Sequence, residues 1–325
     1  MWNPIALDTH TLGEPTRVVL EPPPALLALP AQERFAALGG DLLPLVRTVV
    51  GEPRTSDAAV AAFILPPEDP QHRAWISFAN DVGGLRMCVH GMIGVGRALA
   101  HRGALEPGTH TFETAAGLVR LTLLDPDHSE AERRGGSIEI ENVASRRTAE
   151  NVPIVTSGGP LRGDIAYGGN WFFILDPSPI PIVRENLDPL YALTREVRLA
   201  LIESGISGDD GSEIDHVALF EPRDRGEQGS DARNFVLCPG GAHDRSPCGT
   251  GTSAWLARLH VRGRLPVGES RVVESVIGSR FVGRVAVTDE GAIVPTIRGE
   301  AAVVAEVKLY FDERDPYLGG IPRSS

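Results

Sequence analysis

Two stretches share one pattern of apolar and polar positions, and the rest of the chain reads as strands arranged around them. From Asp244 to Leu265, DRSPCGTGTSAWLARLHVRGRL passes from a polar loop into apolar residues at helical spacing (Trp255, Leu256, Leu259). Pro247, Cys248 and the run Gly-Thr-Gly-Thr-Ser predict a thiol at a loop-to-helix junction, and the helix stops at an Arg-Gly C-cap. Residues 88 to 105, CVHGMIGVGRALAHRGAL, laid on 248 to 265 without a gap, agree at six of 18 positions. The pairs are Cys88/Cys248, Gly91/Gly251, Leu99/Leu259, Arg102/Arg262, Gly103/Gly263 and Leu105/Leu265. The apolar stripe of the first copy is Met92, Val95 and Leu99. A strand–Cys–helix unit is therefore expected once in each half.

Between these units the pattern alternates. In the first half it predicts strands at 17–20, 60–66, 73–80, 117–124 and 137–146, with a helical region at 30–49 broken at Gly39-Gly40. The polar run DTHT before a turn at Gly13-Glu14-Pro15 reads either as a site lining or as a hydrogen-bonded turn. In the second half, GDIAYGGNWFFILD (163–176) is a glycine-rich approach to an aromatic strand whose Trp171, Phe172 and Phe173 read mainly as core. A helix at about 185–204, an acidic loop at 205–214, and strands at 215–222, 232–240, 271–287 and 301–311 follow. A charged loop (Arg223, Asp224, Arg225, Glu227) lies between the strands at 215–222 and 232–240, and Cys238 in FVLCP reads as a core thiol. The boundary between halves is expected near 150–160, in ENVPIVTSGGP.

Composition narrows the chemistry. A length of 325 residues suits two domains with a proper core. With 31 basic and 43 acidic residues, a net charge of −12 and no Lys/Arg block, neither nucleic acid nor an anionic membrane is an expected partner. The N-terminus shows no basic flank and no apolar h-region, and no run approaches 18 apolar residues, so the expectation is a soluble, cytoplasmic chain. Three cysteines are too few for a disulfide framework and form no CxxC pair, which implies free thiols, a reducing compartment and no metal site. Lys308 is the only lysine, a poor basis for a pyridoxal Schiff base, so any amino-acid chemistry is expected to need no cofactor.

Two thiols at helix starts in duplicated halves invite one geometry. Unpaired N–H groups and the helix dipole favour a thiolate at Cys248, and a pseudo-twofold arrangement would face Cys88 and Cys248 across an interdomain cleft. A small carboxylate held by those N–H groups would be stabilised as its α-proton leaves to one thiol and another proton arrives from the opposite thiol. The net result is inversion at Cα.

On these residues the sequence resembles the proline racemase family, with MCVHGMIG (87–94) around the first cysteine and DRSPCGTGTSA (244–254) around the second. The segments DTHTLGEPTR, GGNWFF, DHV, RNFVLCPG and ESVIGSRF spread the resemblance over nearly the whole chain, and GGNWFF and RNFVLCPG look most like the bacterial 4-hydroxyproline 2-epimerase branch. The resemblance implies an α/β (α+β), diaminopimelate-epimerase-like fold: two pseudo-symmetric domains, each a mostly antiparallel curved sheet around a central helix. The domains would be 1–155, completed by a C-terminal strand at about 301–325, and 156–300. It implies Cys88 and Cys248 as acid/base thiols, His90 and the Val89 backbone beside the substrate, and Gly249 and Thr250 N–H groups on its carboxylate. Asp244 would accept from the ring ammonium and His216 would approach the ring hydroxyl. The implied reaction takes trans-4-hydroxy-L-proline to cis-4-hydroxy-D-proline without cofactor or metal, with a homodimer as an open assembly. Val89 departs from the family's usual glycine and bears on ring preference.

Other readings stay open. Proline itself is the runner-up substrate. A trans-3-hydroxyproline dehydratase would remove the same proton, although such members typically lack the second cysteine. A Cys/His hydrolase would require His90 to reach Cys88, which i,i+2 positions on one helix do not permit. A non-catalytic amino-acid binder would bind without proton exchange. His90 as a helix cap, His216 as a strand-end histidine and Asp244 as a loop cap are the structural alternatives for those residues.

Overall fold

The protein is described from a computed structural model, covering residues 2–125, 137–224 and 229–321. Arg225, Gly226 and Glu227 of the expected charged loop and residues 322–325 of the expected C-terminal strand lie outside the described residues. In chain order the elements begin β1 (Ile5–Thr11), β2 (Glu14–Val19), α1 (Pro24–Leu27), α2 (Ala31–Gly39), α3 (Leu43–Val50), β3 (Val60–Leu65), β4 (Trp75–Asn80) and β5 (Gly83–Leu85). They continue with α4 (Val89–His101), β6 (Gly108–Thr114), β7 (Gly117–Leu123), β8 (Ile138–Glu141), β9 (Arg146–Thr156), β10 (Gly159–Tyr167) and β11 (Trp171–Leu175). The remainder is α5 (Leu187–Glu203), β12 (His216–Pro222), β13 (Ala232–Leu237), α6 (Gly249–Val261), β14 (Arg271–Ser275), β15 (Arg280–Val287), β16 (Ile293–Gly299) and β17 (Ala301–Lys308). Among the described residues, no helix is long and apolar enough to cross a membrane.

The chain divides into two compact units, Met1–Ile140 with Glu300–Ser325, and Glu141–Gly299. In the first unit, β1 lies antiparallel between β17 and β2, β2 runs parallel to β3, β3 antiparallel to β4, and β4 meets β6 in parallel, with β7 antiparallel beyond. In the second unit the order β9-β10-β11-β12-β13-β14-β15 gives the same succession: antiparallel, antiparallel, parallel, antiparallel, parallel, antiparallel. The duplication inferred from the two cysteine helices is thus repeated in strand pairing. β16 extends the second sheet beside β15.

Alternation along the strands assigns each face. In the first unit Ala61, Phe63, Leu65 and Ala79 pack with Leu26, Leu38, Val46 and Val49 from α1 to α3, while the neighbouring Phe78 points the other way, onto α4. In the second, Trp171, Phe173 and Leu175 join the core beneath α5 with Leu190, Val197 and Leu201, and Phe172 points to α6. Sequence periodicity predicts an apolar stripe on each cysteine helix, but burial goes all round: Gly249 to Leu259 are all buried, as are Val89 to Gly96. α4 touches β1, β2, β3, β7 and β17, and α6 touches β9, β10, β11, β15 and β16, so each helix is enclosed by its own sheet.

Some elements were not visible as periodic runs. DTHT lies inside β1, where Asp8 pairs directly across from Arg17 on β2 and is ion-paired to it at 2.7 Å, so charge satisfies the strand where apolar alternation is missing. ENVPIVTSGGP is a hairpin and not a linker: β9 and β10 pair from Arg146–Tyr167 to Thr156–Gly159. The division therefore falls at 140/141, earlier than the expected 150–160.

Arg258 of α6 is 2% exposed and ion-paired to two buried carboxylates, Asp164 on β10 and Asp176. Asp164 also accepts from Arg262 at 2.9 Å and from the Asn151 N–H at 3.0 Å, and Asp176 from Trp255 Nε1 at 3.1 Å. Removing one partner of such a set leaves uncompensated buried charge. Arg258→Ala is expected to cost about 3–5 kcal/mol, measured as the shift in urea unfolding, whereas Arg102→Ala, in an exposed pair with Glu306, should cost under about 1 kcal/mol.

Candidate active site

In the first unit Cys88 is the N-cap of α4, with extended backbone (φ −145°, ψ 101°), and its Sγ accepts the Gly91 N–H at 3.3 Å. The His90 ring nitrogens lie 3.4 and 3.5 Å from that sulfur. This corrects the expectation that His90 could not reach the thiol. The i,i+2 rule applies within a helix, and Cys88 stands just outside one. The His90 carbonyl accepts from Thr11 Oγ1 at 2.8 Å, so the polar run of β1 anchors the helix start. Val89, at the first helical position, is 1% exposed.

In the second unit Cys248 is the N-cap of α6 and takes φ 43°, ψ 96°, a left-handed conformation uncommon for a residue with a side chain. Its surroundings over-determine it. The Pro247 carbonyl accepts from Asn234 Nδ2 and from Thr252 Oγ1, both at 2.7 Å, and the Cys248 carbonyl accepts from the Thr252 N–H at 2.7 Å. The GGN segment presses against the same turn: a Cβ on Gly168 would stand 2.2 Å from the Thr250 carbonyl oxygen. Asn142 Nδ2 bridges the Gly168 carbonyl (2.8 Å) and Ser253 Oγ (3.0 Å).

The pair Gly91/Gly251 has a common physical cause. A Cβ at Gly91 would lie 2.9 Å from Cys88 Sγ and 2.8 Å from the Phe78 ring, and one at Gly251 would lie 3.1 Å from Cys248 Sγ and 3.0 Å from the Phe172 ring. In each unit the thiol shares its place with a glycine and an aromatic edge. Phe78 and Phe172 carry no mark of this in the sequence beyond falling in apolar strands, but the glycine pair was present in the repeat.

Asp244 is 5% exposed and lies near enough to the Cys248 thiol for its charge to act on it. Complete burial pushes the Cys248 thiol well above the ordinary range, the Asp244 carboxylate pushes it further, and the Gly251 N–H and the Thr250 hydroxyl, 3.7 Å from Sγ, only partly oppose them. At Cys248 desolvation and a neighbouring negative charge thus act against the pull of the helix-start N–H groups toward a thiolate. His216 opens β12 directly beside Phe172, its ring 4.7 Å from the Phe172 ring and its Nδ1 2.8 Å from Asp215. The second unit therefore gathers Cys248, Gly249, Thr250 and Asp244, with His216 one ring away. The first gathers Cys88, Val89 and His90. Cys238 is not a strand-core thiol: it lies just beyond β13 in a turn and is half-buried. Among the described residues, no group of three or more His, Cys, Asp or Glu side chains is placed to hold a metal ion.

The family model for proline racemase matches residues 6–322. The chain belongs to the proline racemase family. It is 43% identical over 316 residues to the 4-hydroxyproline 2-epimerase of Roseibium aggregatum, covering 97% of this chain and 98% of the relative. Among solved structures it is similar to a probable proline racemase from Agrobacterium radiobacter with bound carbonate (26% identity, TM-score 0.87, covering 98% of this chain and 96% of that one). It is also similar to a hydroxyproline epimerase from Agrobacterium vitis with bound trans-4-hydroxy-L-proline (25% identity, TM-score 0.86, covering 99% and 96%). The expected α/β fold class agrees with these likenesses.

The suppressed ionisation of Cys248 has a consequence for stability. Between the unfolded thiol's pKa of about 8.5 and its higher folded value, the folded state of this racemase-family protein holds a proton that the unfolded state has lost. Stability from this thiol is full below that window and falls as pH rises through it, by up to about 1.4 kcal/mol per pH unit. Urea unfolding at a series of alkaline pH values should show a shallower decline for Cys248→Ser than for the native protein.

Proposed function

We propose that this protein is a cofactor-independent 4-hydroxyproline 2-epimerase that converts trans-4-hydroxy-L-proline to cis-4-hydroxy-D-proline using Cys88 and Cys248 as its two acid/base groups. The observation that carries the reading is the duplicated setting, a thiol at the N-cap of a central helix in each unit, wedged between a glycine and an aromatic ring. The names of the relatives support the substrate.

In one direction Cys248 acts as the acid. Burial and Asp244 keep its proton on at rest, which suits a group that delivers one to the planar carbon. Cys88, with an imidazole at 3.4 Å, acts as the base, and the roles exchange in the reverse direction. The N–H groups of Gly249 and Thr250 receive the substrate carboxylate and take up the negative charge that spreads onto it as the α-proton leaves. Asp244 accepts from the ring ammonium, the Val89 backbone and His90 flank the ring, and His216 approaches the hydroxyl. Such thiols work only when reduced, so the protein is assigned to a reducing compartment, the cytoplasm. Buried Val89 at the helix start favours one comparison substrate, L-proline, as the second reading.

In heavy water, trans-4-hydroxy-L-proline should gain deuterium at Cα while its optical rotation decays, without added cofactor. Cys88→Ser and Cys248→Ser should each lower turnover by at least about 10²-fold. Exchange with L-proline but not with hydroxyproline would move the assignment to proline racemase, and formation of a pyrroline carboxylate from trans-3-hydroxyproline would move it to the dehydratase. Absence of exchange with every proline derivative would overturn it.

A further inference from the structure

Beyond β13 the chain turns back on itself. The Cys238 N–H donates to the Ala242 carbonyl at 2.8 Å, His243 bridges Leu237, and the Asp244 N–H donates to the Val236 carbonyl at 3.0 Å. Neighbouring residues on such an extended return face opposite sides. Asp244 meets the Cys248 thiol. His243 points away from it, 8% exposed, with its ring stacked on Phe235 at 5.4 Å and 11°. Tyr191 of α5 stands edge-on to both rings, and its hydroxyl is 2.5 Å from His243 Nδ1. The Arg195 guanidinium lies 5.2 Å over the Tyr191 ring.

A phenylalanine at 191 would fill the same space against Phe235. The hydroxyl adds direction: it fixes the imidazole, and through it the two-residue step that aims Asp244. We propose that Tyr191 and His243 are positioning residues that hold Asp244 against the Cys248 thiol, so that α5 sets the geometry of the acid/base group at the start of α6. This rests on the reading of Cys248 as an acid/base thiol. The ionisable groups around His243 are Tyr191 and Arg195 from α5, Asp244, Cys238 in the turn, and Arg245, whose Nη1 donates to the His243 carbonyl at 2.9 Å. With the hydroxyl removed, the imidazole loses the bond that fixes its direction, the Phe235 stack and the Arg245 bond hold the return less firmly, Asp244 withdraws from the sulfur, and the thiol ionises more readily.

The test is the rate of iodoacetamide alkylation of the full-length protein near neutral pH, with the Cys248 and Cys88 peptides quantified separately by mass spectrometry. In Tyr191→Phe and His243→Phe, each with native circular dichroism, Cys248 should alkylate about threefold faster or more, because the thiolate is the reacting species, and Cys88 should not change. His243→Gln, which keeps a partner for the Tyr191 hydroxyl, should restore much of the native rate and covers the case in which His243→Phe fails to fold. In the epimerase assay Tyr191→Phe should lower kcat and, because Asp244 also receives the ring ammonium, raise KM. An unchanged Cys248 rate in Tyr191→Phe and His243→Phe, or equal acceleration at both thiols, would overturn the proposal. Alkylation needs no turnover, so a protein inactive on all proline derivatives that still shows the Cys248-specific change would sink the assigned reaction and leave the positioning role standing.

Discussion

Everything in this molecule depends on enclosing one helix within one curved sheet, twice. A helix so enclosed has no solvent face, and its first turn must be packed like a core while still presenting backbone N–H groups and a thiol. Glycine at the third helical position meets both demands. At Gly91 and Gly251 a methyl group would intrude on the sulfur and on the ring of Phe78 or Phe172. The thiols are therefore placed by packing, and their chemistry follows from how deeply that packing buries them.

Burial has different consequences in the two units because the neighbours differ. Beside Cys88 stands an imidazole, a group that can accept a proton; beside Cys248 stands a carboxylate that holds one in place. Backbone conformation differs in the same sense, extended at Cys88 and left-handed at Cys248, where Pro247 is clamped by Asn234 and Thr252. The two thiols therefore sit in unlike electrostatic settings although their helices and glycines match. The duplicated architecture repeats the setting of the thiol, and the local departures from it change the groups the thiol meets.

The second unit also shows how polar groups are afforded inside such a core. Arg258, Asp164 and Asp176 are each 4% exposed or less at the side chain, yet every one has charged or hydrogen-bonded partners. This set anchors the last turn of α6 to β10 and to the residue following β11, leaving the helix start to be adjusted by GGN on one side and by the Asp244 return on the other.

The sequence by itself determined the two cysteine helices, their duplication, the family, the candidate residues and most strands, because these reside in local periodicity, in glycine and proline placement and in an eleven-residue motif. It did not disclose β1 or the β9–β10 hairpin, where cross-strand pairing such as Asp8 with Arg17 replaces apolar alternation. Nor did it show that α4 and α6 are buried all round, that His90 reaches Cys88, or that burial and Asp244 together hold the proton on Cys248. Those properties belong to distances between residues far apart in the chain or on either side of a helix cap. Only tertiary structure decided them, since desolvation and charge proximity have no sequence period.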